Sequence, residues 1–555
     1  MSVFIGYPSF MAYQMMKGKK DNNEGFPTIP GTIARYSALG LTNEEMSKNP
    51  VWVDKTGNDH DLQMKNFAWG GMSGVGGYEM NFNLWTNNVP SISDISMSKT
   101  TTSVSVSVGN SAYNNNLIYI HKNNWDVNKN HWLKVASTYE DGDLAFIFYN
   151  DKNTKKIELP ANGYVNIPAY PEFKGNYMYI STTSNKQGSF TIEQLPLYPG
   201  ALVFDGVDDY GVCDNFPILT KEKGYTVVAL RQWITYNPNA ISAIATNASD
   251  RSFNGAFTFE NYNKGAEQTI SYGATQISLQ YSKSPFSWQT TSKYNGFNIA
   301  NGNKDATNSL VLGRSYPQRN EFANFAIWEI VILDHDATEE ELTKIKDYFI
   351  KTYPWLFPDQ AWTVTGKTNE DEDRATIANI TGNGNDLVLS NFGFAEGSGY
   401  NEEGEYAGYL VTDGVDDMII SSIFKMGKDF TIVGDWKFIT NKRSGTGLVK
   451  GSSFYIYNTM IGLDLYINSG SVKNMLDGIK SINAACSDGR AYDCNWNEIL
   501  ANTGNVVGSG GTLEVSSSGG RFDRIAFKNL AIYPRILSQD DCIKAYNYLQ
   551  TLKAK

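Results

Sequence analysis

The chain has 555 residues, 41% of them apolar and 19% charged, so at about 150 residues per domain it holds three or four domains with cores of their own. With 50 Gly and 17 Pro, collagen-like and generally disordered chains are excluded. The formal net charge of −11 comes without long basic runs, which excludes the counterion-release footprint of a nucleic-acid binder.

The aromatic content, 33 Tyr, 28 Phe and 12 Trp, favours strands over helices and predicts an all-β protein. Residues 2–16 are mildly apolar but lack a basic leader, are interrupted by Gly6, Pro8 and Gln14, and run into Lys17, Lys19 and Lys20. They do not read as a signal peptide. No run of about twenty apolar residues follows anywhere, so no membrane helix is predicted.

Three motifs then occur twice in the same order. The first runs from Thr42-Asn43-Glu44 through Thr56-Gly57-Asn58-Asp59-His60-Asp61-Leu62 to Asn66-Phe67, and recurs as Thr368-Asn369-Glu370, Thr381-Gly382-Asn383-Gly384-Asn385-Asp386-Leu387 and Asn391-Phe392. The second, Asp205-Gly206-Val207-Asp208-Asp209-Tyr210, recurs as Asp413-Gly414-Val415-Asp416-Asp417-Met418; each reads as strand, Asp-Gly turn, strand. The third places Phe322, Ala326, Ile330, Ile332 and Tyr348 on Phe522, Ala526, Leu530, Ile532 and Tyr548, a last strand followed by a helix. Thr338 and Ser538 are N-caps with the acids Glu341 and Asp541 three residues on, and Leu342, Ile345 and Phe349 match Cys542, Ala545 and Leu549 as the packing stripe.

Thr56 and Asp205 lie 149 positions apart, but Thr381 and Asp413 only 32, so the first copy carries a guest of about 117 residues. The guest shows period-two and short apolar runs at Val104, Val106 and Val108, then at 117–120, 144–149, 164–167, 177–180 and 190–192. It is predicted to be an immunoglobulin-like β-sandwich without the disulfide. The expected organisation is an N-terminal attachment segment, 1–35; a first jelly roll, 36–84 with 199–355; the inserted sandwich, 85–198; and a second jelly roll, 356–555, each jelly roll ending in a short helix.

Together, the TGN motif, the DGVDDY hairpin and the strand-to-helix ending resemble laminin-G-like modules of the concanavalin A-like jelly-roll class, over about two thirds of the chain. That fold hosts lectins, enzymes and spacers alike. The TNE…TGN…NF lead-in behind a signal-free aromatic N-terminus also resembles virion proteins of phages of gut Bacteroidota, crAss-like phages among them. The resemblance implies a non-enzymatic virion protein, a head fibre, tail fibre or decoration, assembled in the host cytoplasm. In that reading Phe4, Tyr7, Phe10, Tyr13 and Met15 attach to other virion subunits, a homo-oligomer such as a trimer suits a fibre, and the projected modules are lectin-like and meet host-surface glycan. A soluble or surface carbohydrate-binding adhesin is the alternative, and a glycoside hydrolase or lyase the further one.

The residues themselves point away from catalysis. Glu370-Asp371-Glu372-Asp373 reads as a solvated acidic loop instead of a glucanase pair. His60, His121, His131 and His335 lie in separate segments without a nucleophile motif, and the glycines at 508–511 precede no helix signal. Cys213, Cys486, Cys494 and Cys542 read as thiols, with Cys486 and Cys494 near enough in sequence to pair. For a metal, Asn58 with Asp61 and Asn383 with Asp386 offer oxygen ligands suited to calcium, although turn-shaping hydrogen bonds are the preferred reading of these residues and of Asp205, Asp208 and Asp209. Trp288 with Tyr294, or Trp496 with Asn497, could stack on a sugar, and burial in the core is the preferred reading of each.

Overall fold

The computed structural model describes residues 25–554 except 89–94, 110–115, 130, 150–153, 183–185, 221, 236–241, 248–257, 262–275, 282–296, 300–306, 315–320, 423–426, 441–445, 451–453, 459–462, 468–472, 476–481, 501–511, 516 and 519–520. It is an all-β chain of three two-sheet sandwiches.

The first sandwich begins at Thr32–Ser37, which pairs antiparallel with the long strand Asn324–Leu333, Tyr36 opposite Ile330. Thr32 to Arg35, assigned from sequence to the attachment segment, are therefore part of this sheet. Phe26 and Ile29 are buried as well. Thr226–Trp233 and Leu202–Asp205 pair with Asn324–Leu333 too. Facing this sheet is a second one of six strands containing Val51–Trp52, Leu62–Lys65, Tyr210–Cys213 and Leu310–Leu312. Alternate apolar residues meet between the sheets, Tyr36, Trp52, Leu62, Phe204, Leu312 and Phe325 among them, as a period of two requires.

The second sandwich repeats the plan. Gln360–Thr363 and Thr431–Thr440 pair with the equivalent long strand Arg524–Tyr533, and the core gathers Trp362, Leu387, Trp436, Phe527 and Leu530. The guest is a sandwich of two five-stranded antiparallel sheets around Trp85, Phe146, Ile180 and Ile192.

Each jelly roll closes on a helix. In Glu339–Thr352 the Thr338 hydroxyl accepts from the Glu341 amide while the Glu341 carboxylate accepts from the Thr338 amide, the reciprocal cap expected from sequence. Gln539–Gln550 starts from Ser538 with the N-cap half of that arrangement, the hydroxyl accepting from the Asp541 amide at 3.1 Å and donating to the Asp541 carboxylate at 2.7 Å. Ile345 and Phe349 of the first helix and Cys542, Ala545 and Leu549 of the second are buried. Both helices join one apolar cluster with Trp355, Leu356, Phe357, Tyr492 and Trp496.

Candidate functional site

The two DGVDD turns are the most regular feature shared by the repeats, but they are not the hairpins expected from sequence. Leu202–Asp205 and Tyr210–Cys213 pair in the two facing sheets of the first sandwich, and Tyr409–Val411 and Met418–Ser421 in those of the second, so each turn carries the chain across the core. Asp205 accepts from the amides of Val207 and Asp208, and Asp413 accepts from those of Val415 and Asp416. The buried Asp209 takes one hydrogen bond from the Ser73 hydroxyl at 2.9 Å and one from the Asp205 amide at 3.0 Å. Asp417 does the same with Ser398 at 3.1 Å and the Asp413 amide at 2.7 Å. Gly206 and Gly414 stand at φ +76° and +73°, where a Cβ would press on Asn324 or Arg524, so the turn demands glycine. Each acid trio converges within 4.8 Å. Burial first, with the neighbouring acids adding and the two hydrogen bonds opposing, raises the Asp209 carboxyl to about 7 and the Asp417 carboxyl to about 6. The hydrogen bonding is that of paired structural turns.

The four candidate calcium ligands lie in the matching lead-in loops. One carboxylate oxygen of Asp61 accepts from the Asp54 amide at 2.8 Å, and one of Asp386 from the Asn379 amide at 2.7 Å. The amide of Asn58 donates to the Ile33 carbonyl and that of Asn383 to the Asp359 carbonyl. The two aspartates brace the loop's own backbone, while Asn58 ties it to the first strand of its sandwich and Asn383 to the residue just before the equivalent strand, a turn-shaping role. Phe4, Tyr7, Phe10, Tyr13, Met15, Trp288 and Tyr294 lie outside the described residues. Trp496 is buried in the junction, as the core reading held.

Glu370 is exposed; in the same run Asp371 accepts from Thr368 and Asp373 pairs with Lys367 at 2.7 Å. His60 and His131 bond carbonyl oxygens, His121 accepts from the Asn123 amide, and His335 bridges Asp334 and Glu341. All four cysteines are thiols, and Cys486 lies against Cys542 of the second helix.

A cleft of about 1330 Å³ opens where the three sandwiches meet, with Ile234 from the first jelly roll, Glu79 from the segment leading into the guest, Lys129, His131 and Trp132 from the guest, and Tyr409, Asp435, Lys528, Tyr546 and Gln550 from the second jelly roll. Tyr409 donates its hydroxyl to Asp435 at 3.0 Å, the Gln550 side-chain amide donates to the same carboxylate at 3.3 Å, and Lys528 donates to the Gln550 side-chain oxygen Oε1 at 2.9 Å. The ammonium of Lys437 stands 4.7 Å from the centre of the Tyr409 ring. Burial, reinforced by Lys437 and opposed by Asp435, lowers the Lys528 ammonium from its ordinary value. On the guest side Lys129 pairs with Glu79 at 2.8 Å, and burial lowers the His131 imidazole despite the Asp126 carbonyl and Glu79. Trp132 meets Tyr546 edge to face, centroids 5.5 Å apart. Fixed donors and acceptors between aromatic walls suit the binding of a hydroxyl-rich ligand.

Sequence reasoning missed this cleft, because its residues come from segments hundreds of positions apart and no motif joins them. No family model and no curated protein matches this sequence. Solved structures with some likeness include a Trypanosoma rangeli sialidase in complex with the inhibitor DANA, at 8% identity and a TM-score of 0.26 over 82% of this chain and 83% of that one. A Botulinum neurotoxin serotype D binding domain is similar at 10% identity and a TM-score of 0.22, over 62% of this chain and 89% of that one. Likenesses this slight bear on neither fold nor function here.

Proposed function

We propose that this chain is a non-enzymatic structural protein of a phage particle, a head fibre, tail fibre or decoration, that holds its β modules out as one stiff unit and brings them to bacterial surface glycan. The observation that supports this most is the shared apolar junction. Both terminal helices, the Pro354–Leu356 turn between the jelly rolls and the inner strands of the two sandwiches pack in one cluster, and Trp132 of the guest reaches Trp496 and Tyr546 of the second jelly roll. Modules joined by buried surface instead of a flexible linker transmit position along the molecule, which a projecting spacer needs.

Mass spectrometry of purified particles followed by cryo-electron microscopy tests the reading: the chain is expected in the particle with its N-terminal segment against capsid or tail subunits, and its absence from particles overturns it. The incorporation test uses a chain lacking residues 1–24, because a cut at 35 removes strand Thr32–Ser37 from the sheet. The shortened chain is expected to fold and to be lost from particles.

A soluble or surface carbohydrate-binding adhesin is the second reading, favoured by the cleft between the guest and the second jelly roll. Binding to a glycan array that Asp435→Ala abolishes, by a chain absent from particles, would select it.

A further inference from the structure

The guest sandwich carries a second surface that shares no residue with the cleft. In its five-stranded sheet, Leu144–Phe148, Tyr177–Thr182 and Asn116–His121 are neighbours, with Tyr179 opposite both Ile147 and Tyr119, and Tyr177 opposite His121. Alternation sends Phe146, Phe148, Met178, Ile180, Ile118 and Ile120 into the core. It leaves Tyr119, His121, Tyr177 and Tyr179 on the outer face, where Tyr149 joins them just beyond its strand. Tyr149 is 50% and Tyr177 40% exposed.

The rings touch as a continuous corrugated patch. Centroids are 5.2 Å apart for Tyr119 and Tyr177, 6.1 Å for Tyr119 and Tyr179, 6.1 Å for Tyr149 and Tyr179, and 5.3 Å for His121 and Tyr177. Burial first, and then Tyr177, Tyr149 and Tyr119, raise the Tyr179 phenol above its ordinary value. Four solvent-reaching tyrosines, two of them exposed and two half-buried, are unusual on a sheet that needs only one apolar face for its core.

We infer that this face is a stacking platform for an uncharged glycan. Charge complementarity selects the ligand: the five aromatic side chains carry neither carboxylate nor ammonium, and Lys156 and Glu158 on the adjoining strand lie 3.4 Å from each other. A hydroxyl-rich neutral chain can lay its C–H faces on the rings and exchange hydrogen bonds with phenols and imidazole. A second copy of the chain is a poor occupant, because five partly exposed rings offer on the order of 400 Å² against the roughly 800 Å² per partner of a standard interface. The inference rests on the reading that the modules contact glycan, and places that contact on the guest.

The test is affinity electrophoresis of the full chain in native gels cast with mannan, dextran or a β-1,3-glucan, with polygalacturonate as the anionic control. Retardation is expected in at least one neutral gel, with the apparent Kd weakened at least tenfold by Tyr149→Ala with Tyr177→Ala, and weakened less by the paired Phe substitutions, which keep the rings. Circular dichroism of the variants should match the parent, since both positions are exposed. Retardation in no neutral gel, retardation only by polygalacturonate, or retardation that the Ala pair leaves unchanged overturns the proposal. So does concentration-dependent dimerisation in sedimentation velocity that the Ala pair abolishes. Asp435→Ala in the same gels separates the two surfaces: loss with that variant alone assigns binding to the cleft and overturns the platform, while the proposed virion role is read separately from particles.

Discussion

Asp209 and Asp417 have carboxyls raised toward neutrality chiefly by burial, and this gives stability a definite pH dependence. An unfolded aspartate titrates near 3.9. Between about pH 4 and about 7 the native state therefore holds protons that the unfolded state has released, and stability falls as pH rises through that window. Each tenfold change in proton affinity is worth about 1.4 kcal/mol at full effect. Asp209→Asn removes this titration but sets an amide N–H against either the Ser73 hydroxyl or the Asp205 amide, both donors in the native turn, at a cost of about 1–3 kcal/mol. Urea unfolding from pH 4.5 to 8 should show the variant clearly less stable than the parent at the acid end and the gap narrowing toward pH 8. A gap that stays constant with pH would contradict a raised Asp209.

Strand Thr32–Ser37 illustrates what an element can hide. Its Arg35 guanidinium lies 2.5 Å from Glu329 and 2.6 Å from the Tyr348 hydroxyl, and Tyr353 donates to the same carboxylate at 2.9 Å; side-chain exposures of Arg35 and Glu329 are 4% and 0%. In the second jelly roll the equivalent positions are Ala361 and Asn529, so both charges are gone together. Removing one partner of such a pair costs about 3–5 kcal/mol, and removing both by apolar replacement is often near neutral. Arg35→Leu should thus destabilise strongly and Arg35→Leu with Glu329→Leu should recover much of the loss; a double variant as unstable as the sum of the singles rules out the pair as the cause. The capped helices and the duplicated Asp-Gly turns were legible in sequence because their signals are local: Thr338 with Glu341, Ser538 with Asp541, Asp-Gly with paired acids. That each turn crosses from one sheet to the facing one instead of closing a hairpin depends on distant pairing and was not. The strand at Thr32 was not, since its reason for being a strand is Glu329, 294 positions away. The cleft failed to show for the same reason. The tyrosine face was within reach: Tyr177-Met178-Tyr179-Ile180 alternates aromatic and aliphatic residues, a two-sided strand with rings on its outer side.

At the scale of the molecule, the two jelly rolls meet through side chains that belong to neither core alone. Trp355 is 2% exposed, its ring lies 4.5 Å from the Lys544 ammonium of the second helix, and its carbonyl accepts from the Tyr533 hydroxyl at 2.8 Å. Arg535 donates to the Ile350 carbonyl at the end of the first helix, and Gln232 of the first sandwich to Thr551 beyond the second helix. Such contacts make unfolding of one module expose the buried face of the other, so the two should melt as a coupled unit despite separate cores. Trp355→Ala removes the central side chain of that contact without entering either inter-sheet core, at a cost of about 3–5 kcal/mol for a buried tryptophan. In differential scanning calorimetry the parent should show one merged transition for the jelly rolls, and the variant two, each near the stability of an isolated sandwich. If Trp355→Ala lowers the melting temperature but leaves a single transition, coupling runs through the guest at Trp132 instead, and Trp132→Ala in the same background should then divide the peak.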